Sequence, residues 1–185
     1  NVRQELSQFA SELINQLRAQ MGTGEVVVTP SSIDFADKVA TEYRKDNWNW
    51  DLMEKYHHDA KAINRVAREY GLMTTSAEQE SKGLQYYENA YIWREKAGQM
   101  SVAEMKRRIY DSVVEFMFNG YEWLHATSIS GLNTGRQKNY LGVDFSMESD
   151  ITMAHFTMVS EDQVKYASKK NFNASPITGK APTAK

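Results

Sequence analysis

The chain has 185 residues, which suits one domain at roughly 100–200 residues per domain. Its formal net charge is −2, with Lys and Arg interleaved among acids as in EYRKDN and REKAG, and this speaks against a nucleic-acid binder. There is no cysteine, which excludes disulfides, thiolate metal sites and cysteine nucleophiles, and no apolar run approaches the roughly 20 residues of a membrane span.

Leu6, Phe9, Leu13, Ile14, Leu17 and Met21 recur at helical spacing, so a helix is expected over about 3–20, stopped by Gly22 and Gly24. VVV at 26–28 is a short β-branched run. A second helix follows, with Ser31 as its cap, Asp34 bonding back to it, and Ala36, Val39, Ala40 and Tyr43 facing inward. DNWNWDLMEKYHH separates it from a third helix over about Asp59–Tyr70, capped by Asp59 and stopped by Gly71. Residues 74–83 read as a polar loop and LQYYENAYIW as an extended segment. SVAE at 101–104 is a capping box opening a helix with Val102, Met105, Ile109, Val113 and Phe116 inward.

Two strands follow. NYLGVDFSME alternates apolar Leu141, Val143, Phe145 and Met147 with polar positions. ITMAHFTMV is apolar on both faces, with Ile151, Met153 and Val159 on one and Ala154, Phe156 and Met158 on the other. A strand buried on both sides belongs to a middle layer, and the ESD between the strands reads as a tight antiparallel turn. The expected class is α+β, with helices on both faces of a mainly antiparallel sheet. From Lys169 on, composition shifts to Pro, Thr, Ala and Lys. The expected organisation is therefore one domain over 1–168 and a tail or linker over 169–185. The chain begins NVRQELSQF, with neither an initiator Met nor a signal-peptide pattern, and reads as a processed or excised domain.

The chemistry-bearing residues are sparse. The four histidines are His57, His58, His125 and His155. His57 and His58 precede a helix start, where a ring either faces a cleft or packs on Trp48 or Trp50. Glu88 lies between Tyr87 and Asn89 in an aromatic stretch. A carboxylate there either pairs with a donor, is partly desolvated with a raised pKa, or sits on the surface of an edge strand. His125 follows the long helix in GYEWLHATSISG. Ser128 beside it lacks the G-x-S-x-G elbow of a nucleophile. His155 sits inside the last strand, a place more common for a hydrogen-bonded core residue. A site assembled from distant His and Glu positions could hold a divalent metal or move protons, although the spacing matches no compact zinc motif.

Taken in order, LINQLRAQMG, SSIDFADKVATEY, DNWNWD, HHDAKAINRVAREYGL, YYENAYIW, VVEFMFN, WLHATSISG, NYLGVDFS and AHFTMV resemble the CAP superfamily. This is the family of cysteine-rich secretory, antigen five and pathogenesis-related proteins. The resemblance is narrower toward CAP-type domains of Gram-positive surface-exclusion proteins and cell-wall-anchored adhesins, and covers roughly 5–160. It implies a three-layer α-β-α sandwich whose central cleft holds two histidines and two acids, in some members with a divalent metal. By this resemblance His58 is the first histidine and Glu88 the Glu of Gly-Glu-Asn-Leu. His125 in LHAT is the histidine of Gly-His-x-Thr, with Leu124 replacing Gly. The second acid departs from the pattern: Asn119 stands at its place, and Glu115 or Glu122 would have to substitute.

The functional expectation is an extracellular module, secreted or anchored to the cell wall, acting in adhesion or surface exclusion. It would be a monomeric domain of a larger surface protein, with a protein or cell-surface ligand as partner and Trp48 and Trp50 as contact residues. The alternative is a metal-dependent, peptidase-like hydrolase. It would hold zinc on His58 and His125, with Glu88 as the base and Glu122 as a second catalytic candidate. A lipid- or sterol-binding module ranks third, because no surplus of apolar positions marks a large groove.

Overall fold

A computed structural model describes residues 1–118 and 123–179. Helix α1 (Val2–Met21) starts at Asn1, whose side chain accepts from the amides of Arg3 and Gln4, and ends at Gly22 in the left-handed region (φ 71°). The short β1 (Val26–Val27) leads into α2 (Pro30–Lys45). The cap of α2 is Thr29 rather than the expected Ser31. Thr29 Oγ1 accepts from the Ser32 amide at 3.0 Å, and Ser32 Oγ accepts from the Thr29 amide at 2.8 Å. Pro30 explains the shift: it has no N–H to satisfy and its fixed φ suits the first helical position, so the cap falls just before it. Asp34 instead bonds the Tyr70 hydroxyl and pairs with Lys38 at 3.0 Å.

Helices α3 (Trp50–Tyr56) and α4 (Ala60–Glu69) flank the His57–His58 turn, and Asp59 caps α4 as expected. The expected polar loop contains α5 (Ala77–Ser81), a single capped turn started by Ser76 and Gln79. Strand β2 (Glu88–Trp93) is followed by α6 (Val102–Phe118) and α7 (Trp123–Ile129). The chain then forms the hairpin β3 (Asn139–Glu148) and β4 (Ile151–Ser160) and a short α8 (Glu161–Lys165). Periodicity did not reveal α5, α7 or α8, because one or two turns contain too few apolar repeats to register.

The sheet order is β1-β3-β4-β2; only the β1–β3 pair is parallel. Glu148 pairs with Ile151, which leaves Ser149 and Asp150 as the tight turn. Every residue of β4 is buried, and its two faces divide as the alternation requires. Ile151, Met153 and Val159 pack with Phe35, Val39, Ile63 and Val66 of α2 and α4. Ala154, Phe156 and Met158 pack with Leu6, Ala10, Ile14, Ile109 and Phe116 of α1 and α6. This is the expected three-layer α-β-α sandwich. Helix α2 rests directly on the sheet at Gly142, where a Cβ would stand 2.0 Å from the Ser32 carbonyl oxygen.

Arg18 is fully buried and, among the described residues, has no acid partner. Its guanidinium donates to the carbonyls of Ile129, Gly24 and Ser128 and to Asn139 Oδ1, all at 2.8–2.9 Å. Burial lowers its pKa to about 10, so it stays charged at neutral pH and ties α1 to the loop before β1, to the end of α7 and to β3. The Pro/Thr/Ala/Lys-rich stretch lies along the domain as far as Gly179. Phe172 packs on Tyr70 and Tyr140, the Asn173 amide donates to Ser31 Oγ at 2.7 Å, and the Ile177 amide donates to the Val28 carbonyl at 2.9 Å. The compositional boundary at 168/169 is thus no edge of the packed structure. Among the described residues no helix is long and apolar enough to cross a membrane.

Candidate functional site

Glu88 begins β2 with its side chain on the α2/α4 face of the sheet. Pairing of Ala90 with His155 puts the β4 imidazole on the same face, one diagonal step away. His155 Nδ1 lies 2.7 Å from Glu88 Oε2. His58, from the turn before α4, brings Nδ1 to 2.9 Å from Glu88 Oε1, and the Tyr43 hydroxyl of α2 donates to the same oxygen at 2.6 Å. Tyr43 in turn accepts from the Asp59 amide at 2.8 Å, and Ser146 Oγ lies 2.6 Å from His155 Nε2. The side chains of Glu88 and His155 are fully buried; that of His58 is 20% exposed.

The electrostatics are those of a carboxylate kept charged. Burial pushes the Glu88 carboxyl up, but the His155 and His58 imidazoles outweigh it and hold the group well below the ordinary carboxylate range. An ionised Glu88 only accepts, so each histidine donates through Nδ1. Burial first, then the Glu88 charge, pushes the Tyr43 hydroxyl well above its ordinary value, so Tyr43 remains a donor.

His125 lies on the other side of the sheet. Asn89 follows Glu88 in the strand and therefore points to the α1/α6 face. Its Oδ1 sits 2.8 Å from His125 Nδ1, its Nδ2 donates to Ser128 Oγ at 2.8 Å, and the His125 ring packs on Phe116 at 4.9 Å between centroids. The expected convergence of His58, Glu88 and His125 is corrected accordingly: His58 and Glu88 meet, and His125 joins Asn89. Ser128 bonds Asn89, so no serine–histidine pair forms there. Glu115 is on α6, near enough to Tyr91 to help burial raise that hydroxyl's pKa, and Tyr91 shares the face of Asn89. Asn119 and Glu122 lie outside the described residues. His57 is exposed at the C-terminal end of α3 with φ 66°. Trp48 is only 8% exposed, edge-on to Tyr43. Trp50 is half-buried beneath the Arg94 guanidinium at 4.6 Å, so neither indole stands free on the surface.

The zinc ligand set expected on His58 and His125 does not fit this arrangement. Those rings are on opposite faces, both nitrogens of His155 are hydrogen-bonded, and both oxygens of Glu88 are taken. Among the described residues no group of three or more His, Asp or Glu side chains has the placement to hold an ion.

Next to His58 lies a cavity of about 450 Å3, bordered by Asp46, Trp48, Leu52, Tyr56, His58 and Asp59, with Lys61 and Arg65 beyond. Asp59 is 3% exposed. Its Oδ1 accepts from the Ala62 amide at 3.2 Å, whereas its buried Oδ2 meets no N–H or hydroxyl donor among the described residues. Burial, and then the Asp46 carboxyl beside it, raise the Asp59 pKa to about 8. Two carboxyls in contact bond only through a shared proton, and the raised Asp59 pKa keeps that proton in place at neutral pH. Trp48 Nε1 is buried and also unpartnered. Sequence reading cast Asp59 as a cap and Tyr43 as a core residue. Asp46 and Ser146 carried no signal at all.

No protein-family model matches the chain, and no curated protein matches it. Among solved structures, the CAP domain of Enterococcal PrgA superposes with a TM-score of 0.69, at 23% identity, over 96% of this chain and 70% of that one. The chain has the CAP fold. Within that fold the -His-x-Thr spelling occurs twice, and the geometry selects between the two. Ala154-His155-Phe156-Thr157 delivers its imidazole to Glu88, whereas Leu124-His125-Ala126-Thr127 does not. The deciding signal was present in the strand pattern, since a histidine in a doubly buried strand reaches a buried acid only from the same face.

Proposed function

We propose that this chain is a non-enzymatic binding module of an extracellular surface protein, a monomeric domain whose working surface is the groove beside His58. The observation that carries this reading is the division of labour around His58. Behind it, Glu88, His155 and Tyr43 are buried and saturated with internal hydrogen bonds. In front of it, an open cavity is bordered by aromatic, apolar and charged side chains. A general base must reach a substrate proton directly or through one water, and the Glu88 side chain is fully buried behind His58. Its network instead straps α2, the turn before α4, β2, β4 and β3 together. The CAP fold and the resemblance of the ordered segments to bacterial surface-protein CAP domains support a place outside the cell in adhesion or surface exclusion.

The test pairs partner retention with hydrolysis. Tyr56→Ala and Lys61→Glu, on the rim of the groove, are expected to keep the fold and to lose attachment of partner cells to the immobilised domain. Chelator treatment is expected to leave attachment unchanged. Attachment that disappears on chelation with the fold intact, or peptide hydrolysis that vanishes in His58→Ala, would establish the hydrolase in its place.

A further inference from the structure

We infer that α3 is a lid over the groove beside His58, hinged at Asn47 and His57 and held shut against backbone strain. The inference deepens the binding-module reading and rests on it, since it concerns how that groove opens to a partner. Among the described residues the non-glycine positions with positive φ are Asn47, His57 and Ser149, and all three gather at the ends of this one helix. Asn47 (φ 49°) lies just before the Asn49 cap. Ser149 (φ 52°), in the β3–β4 turn, donates from Oγ to Asn47 Oδ1 at 3.1 Å, and its neighbour Asp150 accepts from the Trp50 amide at 3.0 Å. His57 follows α3 directly and departs furthest. Its φ of 66° and ψ of −49°, with the His58 amide donating back to the Tyr56 carbonyl at 2.8 Å, form a γ-turn of the rare and strained hand.

Such backbone is costly for any residue with a Cβ and persists only where its surroundings enforce it, typically at clamps and switches. Here the neighbours enforce it. The His57 amide donates to the Met53 carbonyl at 2.7 Å, and His58 is held on Glu88 at 2.9 Å. The Tyr56 carbonyl is backed by Gly83, where a Cβ would stand 2.0 Å from it. The helix between the hinges is lightly held. None of its residues is fully buried, Leu52, Met53 and Tyr56 pack only in part on the core, and its bonds to the β3–β4 turn are exposed. An element with few buried contacts opens at lower cost than the core strands. Leu52 and Tyr56 border the groove from α3, while Lys61 and Arg65 of α4 and Glu80 of α5 border it from the body of the domain. A swing of α3 therefore changes the width of the groove. Just outside the hinges Asp46 and Asp59 are in contact, which fixes the base while the part between them moves. Tyr56 packs on Trp48 at 6.1 Å between centroids, so opening uncovers an indole that is 8% exposed when the lid is shut.

The experiment follows hydrogen exchange of the full 185-residue chain by NMR at two reporters, the Met53 amide within α3 and the Trp48 indole N–H beneath it. Both are expected to exchange together, with protection about a hundredfold below that of the β4 amides. His57→Gly, which removes the Cβ that makes this turn costly, is expected to favour the closed lid and to slow both reporters about tenfold. His57→Ala keeps the Cβ and removes the ring, and is expected to leave them near wild type. Reporters that open only with β4, or that ignore His57→Gly, or that respond equally to His57→Ala, would overturn the inference. Because binding requires the open form, His57→Gly is also expected to raise about tenfold the amount of domain needed for half-maximal attachment of partner cells. Attachment that Tyr56→Ala and Lys61→Glu abolish but His57→Gly leaves unchanged would overturn the lid and keep the binding module. Reporters that behave as expected while Tyr56→Ala and Lys61→Glu leave attachment untouched would keep the lid and overturn the functional reading.

Discussion

Glu88 and Asn89 are neighbours in β2, yet they serve two unconnected polar clusters on opposite faces of one sheet. On the α2/α4 face Glu88 is a fully buried charge held by two imidazoles and a tyrosine. On the α1/α6 face Asn89, an uncharged amide, hydrogen-bonds a half-buried histidine and a serine. The comparison separates a strap built on a buried carboxylate, where loss of one member leaves others buried and unpaired, from one built on an uncharged amide with less at stake. It also shows that a single step along a strand decides which histidine a side chain can meet.

The largest effect is expected from the charged cluster. Glu88→Ala should cost about 3–5 kcal/mol, the range for breaking a buried charge pair from one side. For a domain of this size that lowers the melting temperature by roughly 10 °C. Asn89→Ala should cost only about 1–2 kcal/mol. Calorimetry on the two variants checks the contrast, and equal losses would break it.

Acid titration sharpens the same point. Glu88 has a folded pKa below its unfolded one, so its contribution is fully present above the ordinary carboxylate range and is lost as pH falls through the folded value. Urea unfolding between neutral and acidic pH should show this decline in the wild type and a flatter profile in Glu88→Gln.

Asp59 carries the opposite sign on that face. Its pKa is raised from 3.8 to about 8, so its contribution is fully present below 3.8 and is lost as pH rises through 8. Asp59→Asn should remove that decline while keeping the cap of α4, since Asn and Asp cap comparably. An unchanged slope in the variant would mean that the acid pair does not share a proton. The smallest effect belongs to the Asn89 cluster: His125→Ala should cost about 1 kcal/mol or less in the same unfolding measurement, given the partial exposure of the ring and of its hydrogen bond to Asn89.

Much of the architecture was legible because it follows from short-range rules. The faces of β4, the inward residues of α6, the Asp59 cap and the Gly22 stop all follow from periodicity or from one residue's hydrogen-bonding and backbone chemistry. The candidate site was legible only in part. Of the three residues expected to converge, His58 and Glu88 lie together, whereas His125 of LHAT is on the other face and His155 of AHFT stands beside Glu88 instead. The two stretches share the same letters, and nothing within either one states which sheet face it will serve. The helical spacing marks Tyr43 as core because its ring is core, and its hydroxyl meets Glu88 only through the packing of α2 on the sheet.

The sequence by itself determined the α+β class, the three layers and the doubly buried strand, because burial patterns repeat over distances of two to four residues. Tertiary structure alone decided that His155 joins Glu88, that His125 is left to Asn89, and that Asp46 and Asp59 meet at the border of a cavity. Those meetings depend on strand register and on how helices settle against the sheet, where one step of pairing or a small rotation exchanges every partner.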